Sequence, residues 1–195
     1  MKYYQAIMAV VALLAVNGAA LAQTTPQRAD FKGAVLGMPI EDWRAVNNGH
    51  FNLRYSCRNV EDKLKTLGDT NCTLQFSQRE TIAGVEAKSA SFWWYGDALS
   101  SIRIAFDSGQ YVAVVDALTE RWGKPTAIED REVVTGAGVR LNNTITRWRI
   151  GGDIIEASRY GSSIRESGVR YISEAALSEF ERRNGSAAKK GSKDL

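Results

Sequence analysis

Three hydrophobic rhythms follow one another along the chain. It opens on an unbroken apolar run, Ile7 to Val16. Helical spacing comes next. Ile40, Trp43 and Val46 share a face behind Gly37-Met38-Pro39, with Pro39 at an early position that needs no N–H, and Asn47-Asn48-Gly49 ends the segment. Asn59 is expected to cap a short helix bearing Val60, Leu64 and Leu67, closed by Gly68. The clearest helical stripe is Tyr111, Val114, Val115, Leu118 and Trp122, capped by Ser108 and stopped by Gly123 and Pro125. A last helix starts at Ser173 and carries Leu177 and Phe180.

Elsewhere the period is two. Phe31–Leu36, Thr73–Ser77, Thr81–Ala87, Ile128–Val134 and Val169–Ile172 read as strands. Ala90–Tyr95 and Ala98–Phe106 form a hairpin about Gly96-Asp97, and Thr144–Ile150 and Asp153–Tyr160 form another about Gly151-Gly152. Runs of strands with helices between them predict an α+β fold: a curved antiparallel sheet with helices packed on one face, as a single domain with one disulfide. That domain is expected over 31–183, after a polar lead-in at 23–30. The small, polar and basic stretch 184–195 is expected to be a disordered tail.

The opening run changes the picture of compartment. Lys2 precedes it, Asn17-Gly18 breaks it, and Ala20-Leu21-Ala22 places small residues before a cut ahead of Gln23. These are the parts of a secretory signal peptide, so a periplasmic or secreted protein is expected, with 1–22 removed. Ten apolar residues rise only about 15 Å as a helix, half a bilayer core, and no membrane span is expected. In an oxidising compartment the two cysteines, Cys57 and Cys72, pair as a disulfide. A thiol-based zinc site lacks ligands, because His50 is the only histidine; no metal and no cofactor is expected.

Charge excludes one class of partner. The chain carries a net charge of +3, but Lys2 belongs to the leader, and Arg182, Arg183, Lys189, Lys190 and Lys193 crowd the C-terminus against Asp194. The body is therefore slightly acidic, and a nucleic-acid-binding face is not expected.

The first hairpin carries the most informative chemistry. With a regular two-residue turn, Trp93, Tyr95, Ile102, Ile104 and Phe106 share one sheet face and are read as core. Phe92, Trp94 and Leu99 then share the other face with Ser101 and Arg103. A half-buried sheet is normally polar outside; here both faces are aromatic. In the second hairpin Trp148, Ile150 and Ile155 are core, while Arg147, Arg149, Ile154, Glu156 and Tyr160 face outward, with Arg147 opposite Glu156. Phe92, Trp94, Arg103, Arg147, Arg149 and Tyr160 thus form a candidate binding surface, of residue types enriched at protein interfaces. The alternative is that the N-terminal helices or the disulfide loop cover it.

Two phrases carry a resemblance. GMPIEDWRAV, and GDALSSIRIAF followed by LTERWGKP, resemble small exported proteobacterial proteins of uncharacterised function. More loosely, the order of elements is similar to envelope and inhibitor proteins related to the β-lactamase inhibitor protein. The resemblance implies helices on an antiparallel sheet and action by binding other proteins; it carries over no functional residue.

No catalytic constellation is recognisable: His50 has no G-x-S-x-G partner, and TGAGVR lacks the lysine of a phosphate loop. The leading expectation is a non-catalytic binding module for an envelope protein or cell-wall component, such as an inhibitor, accessory or assembly factor. Two alternatives stand beside it. One is a glycan or cell-wall hydrolase using Asp130, Glu132 or Glu156, with Asp130 and Glu132 on one strand face and Glu129 opposite. The other is a small-ligand carrier with Trp93 or Trp94 in its pocket.

Overall fold

A computed structural model describes residues 27–50, 55–61, 68–74 and 80–191 of the protein. The expected leader lies outside this range. Most of the helix expected between the cysteines does too. The fold is α+β, with an antiparallel sheet, helices and one disulfide. Asp30–Phe31 (β1) and Ala34–Val35 (β2) form a minimal hairpin, and Ile40–His50 (α1) follows. The main sheet is built from Tyr55–Asn59 (β3), Thr70–Leu74 (β4), Glu80–Ile82 (β5), Val85–Tyr95 (β6) and Ala98–Asp107 (β7), then Ala127–Val134 (β8), Arg140–Ile150 (β9), Asp153–Ser158 (β10) and Glu166–Ser173 (β11). Tyr111–Trp122 (α2) separates β7 from β8, and Glu174–Gly191 (α3) ends the described chain. Spatial order is β3-β4-β6-β7-β11-β10-β9-β8, with β5 beside β6, and all these pairings are antiparallel. Among the described residues no helix is long and apolar enough to cross a membrane.

Most elements lie where the pattern places them, and the departures have local causes. Helix α1 runs through the Asn-Asn-Gly stop as far as His50, whose side chain lies outside the described residues. Ser108 does not cap α2. A 3₁₀ turn, Ser108–Gln110, precedes that helix; Asp107 caps the turn through Gly109 N at 2.9 Å, while the Ser108 hydroxyl donates to Ile164 O. Gly123, at φ +82° and ψ −169°, leaves α2 in an extended positive-φ conformation suited to glycine, its N–H donating to Thr119 O. Asn59, expected as a helix cap, ends strand β3: it pairs with Thr70, and Cys57 lies directly opposite Cys72. The disulfide is thus a cross-strand link between β3 and β4 that closes a sequence separation of 15 residues, worth about 3 kcal/mol by chain entropy. Ser173 does cap α3, accepting from Ala176 N at 3.0 Å. The helix then continues to Gly191 through residues expected to be disordered. Ala187 and Ala188, followed by two lysines, are strong helix formers.

Helices α1 and α2 cover one face of the sheet. Under α1, Trp43 meets Phe92 at 4.9 Å and Trp94 at 5.1 Å between ring centroids, and Tyr55 meets Phe92 edge-on at 5.3 Å. Under α2, Val114 and Leu118 are buried with Ile104, Phe106, Ile155 and Trp148. Tyr111 shares a hydrogen bond with Thr146 Oγ1 at 3.0 Å, and the Trp148 indole donates to Gly123 O at 2.9 Å. The lead-in is pinned rather than loose: Arg28 donates twice to Asp153 at 2.8 Å, and Ala29 N donates to the same carboxylate. Gly151 is required at that corner, since its φ is +59° and a Cβ would stand 2.6 Å from Gln27 O.

Candidate binding surface

Which residues reach the other face is decided by one extra residue in β7. The pairs Tyr95–Ala98 and Trp94–Leu99 follow the two-residue turn, but Trp93 pairs with Ser101 and Phe92 with Ile102. Ser100 is left over as a bulge, its hydroxyl donating to Trp93 O at 2.7 Å. Beyond it the two strands are offset by one residue. Phe92 and Trp94 therefore share a face with Ile102 and Ile104, and both are core, at 3% and 0% exposure. This corrects the expectation that they line the outer face with Arg103. It is Trp93 and Tyr95 that share that face, where the Arg103 guanidinium lies 5.8 Å from the Trp93 ring. A signal was present: Leu99 and Ile102 are both apolar yet an odd number of positions apart, which one unbroken strand cannot place on one face.

The outer face can be followed rung by rung. Ser91, Arg103, Arg170, Glu156 and Arg147 are successive cross-strand partners on β6, β7, β11, β10 and β9. One neighbouring rung is Trp93, Ser101, Ile172, Ile154 and Arg149; the other is Ser89, Ala105, Gly168, Ser158 and Ile145. Part of this surface is covered by α3, and Gly68 of the disulfide loop stands against Trp93. Ala176 and Leu177 pack on Ile154, Ile172 and Tyr95. Glu174 pairs with Arg149. At the far end Arg183 pairs with Asp69 at 2.8 Å and stacks 4.4 Å from the Tyr95 ring.

Beyond α3 the face is open. A groove of about 430 Å³ runs over Arg103, Arg170, Ala105, Gly168 and Ser158 and is flanked by Tyr160. Arg103, Arg170 and Tyr160 come together here. Arg147 lies on the same rung two strands from Arg170, engaged by Glu156 at 2.7 Å and Glu129 at 2.8 Å, as its opposition to Glu156 predicts. Arg149 is held under the start of α3 and lies apart from the groove.

Electrostatics separates these arginines. Hydrogen bonds to Glu156 and then to Glu129 raise the Arg147 guanidinium above its ordinary range. The Arg131 and Arg147 hydrogen bonds hold Glu129 down at about 2. Arg103 and Arg170 are the opposite case. Burial, and secondarily the neighbouring Arg170, lowers Arg103 to about 10; burial also lowers Arg170, offset in part by Glu156. The Nε of each is buried without a hydrogen-bond acceptor, and neither guanidinium forms an ion pair with a described residue. Such orphaned charged donors are costly, and native proteins keep few of them.

Other candidates are dispersed. Asp130 accepts from the Thr144 hydroxyl at 2.7 Å and Glu132 from Arg140 at 2.5 Å. Among the described residues no cluster of three histidine, cysteine, aspartate or glutamate side chains is placed to hold a metal. A separate, mostly apolar cavity of about 540 Å³ opens between Leu99 and the first turn of α3. Neither Trp93 nor Trp94 lines it or the groove. Comparison of the chain with protein-family models, with curated proteins and with solved structures finds no match in any of the three.

Proposed function

We propose that the chain is a non-catalytic binding module, exported behind its leader, that grips an envelope protein through the groove on the outer sheet face. One observation carries this reading: Arg103 and Arg170 are half-buried side by side at the edge of an open groove, with buried donors that nothing in the described chain satisfies. Both side chains also line the groove, where an acceptor on a partner would meet their guanidinium groups. Tyr160 and Trp93 beside it are residue types that anchor interfaces. The strand carboxylates of the hydrolase alternative are each engaged by a hydroxyl or an arginine. In the carrier alternative, one of its two tryptophans is sealed in the core.

A photo-crosslinking residue at Ala105, in the groove floor, should give discrete adducts when the full chain is expressed in cells. One at Val112, on the exposed side of α2, should give none. Equal adducts from both positions, or none from Ala105, would sink the assignment.

A further inference from the structure

We infer that the Arg103–Arg170 pair receives the terminal carboxylate of a peptide chain laid end-on along the groove; this rests on reading the groove as the binding surface. The exception these two residues make is the starting point. On the same face Arg147 has Glu156 and Glu129, Arg149 has Glu174, and Arg183 has Asp69. Arg103 and Arg170 are direct cross-strand partners that both line the groove and form no ion pair with a described residue, so an oxyanion entering the groove meets two unpaired guanidinium groups.

Charge narrows the oxyanion. Glu156 is the cross-strand neighbour of Arg170, and Glu166 also lines the groove. A phosphate dianion, or a polyanion running the length of the groove, would meet both carboxylates. A single planar carboxylate answers the unbalanced charge and presents two oxygens to two guanidinium groups.

The shape of the groove places that carboxylate at a chain end. On one side of the arginine pair, Ala176 and Phe180 of α3 stand against Arg103, Arg170 and Ile172 and form a wall. On the other side the floor is Ala105, Gly168 and Ser158, small residues that leave room for a backbone. From Arg103 to Asp107 strand β7 runs roughly 13 Å, the length of about four extended residues. A chain arriving from the Gly161–Glu166 side must stop where the wall begins, and there the arginines are waiting.

The test uses the full chain and pooled acetylated tetrapeptides, as free acids and as C-terminal amides. The expected result is at least tenfold enrichment of acids over amides on immobilised protein, with shifts of the Trp93 indole N–H signal. Arg103→Met and Arg170→Met should each cut this retention at least tenfold without lowering Tm. Arg103→Lys, which keeps the charge but not the fork, should retain part of it. Equal retention of acids and amides overturns the inference, as does no retention of either pool. So does inorganic phosphate displacing the acids more effectively than acetate, or an amidated peptide with an internal glutamate binding as tightly as a free acid. If adducts from Ala105 persist when acids and amides bind alike, the groove stands as the binding surface and the carboxylate assignment falls. If both results are lost, the reading of the groove falls with it.

Discussion

On one face of the sheet aromatic rings meet rings; on the other they meet guanidinium groups. Phe92, Trp94, Trp43 and Tyr55 interlock edge to face on the covered side. Trp93 and Tyr95, their immediate neighbours in β6, stack instead under Arg103 and Arg183. Four consecutive bulky residues thus serve two environments in strict alternation. The covered face has no need of a partner. The outer face keeps two half-buried guanidinium groups whose Nε atoms have no hydrogen-bond acceptor. The contrast teaches that burial on this sheet is of two kinds, one closed and one left incomplete.

The largest way to break the contrast compares two adjacent tryptophans. Trp94→Ala empties a fully buried site and should cost about 3–5 kcal/mol, lowering Tm by about 10 °C. Trp93→Ala, at 9% exposure beneath Arg103, should cost less, about 2–3 kcal/mol. Equal losses in the two melting curves would erase the distinction.

The smallest effect sharpens the ionic side. Glu129 is held at about 2, below its ordinary 4.5. A carboxylate depressed in the folded state stabilises above its unfolded value, and that contribution fades as pH falls through its folded value. Stability attributable to Glu129 should therefore be full above about pH 4.5 and decline toward pH 2, and Glu129→Gln should flatten the melting-temperature profile in that window. An identical slope in the variant would mean that Arg131 and Arg147 find no stabilising partner there.

The second hairpin was legible and the first was not, for one reason. About Gly151-Gly152 the pairing is regular, so alternation alone placed Trp148 and Ile155 inside and Arg147 against Glu156. About Gly96-Asp97 the turn reads as it is, but one unpaired serine in β7 shifts the pairing by a residue, so Phe92, Trp94 and Leu99 join Ile102, Ile104 and Phe106 in the core while Trp93 and Tyr95 face outward. The disulfide followed from counting cysteines and from compartment. That it joins strands, with Asn59 in a ladder rather than at a helix cap, depends on pairing partners that no local pattern specifies. The same holds for Arg170. Val169–Ile172 reads as a strand, but nothing local announces that it lies between β7 and β10, where Arg170 meets Arg103. The cover supplied by α3 was equally hidden, because Leu177 and Phe180 mark an apolar stripe without saying what it packs against.

Helix α3 is anchored to distant parts of the chain at its first residue, to Arg149 through Glu174, and midway along, to Asp69 through Arg183 at a sequence separation of 114. A span held at two points can be fastened only when both points exist. The wall that Ala176 and Phe180 form is therefore a property of the whole sheet, set jointly by a strand near one edge and a loop near the other, and a change at either fastening is felt at the closed end of the groove.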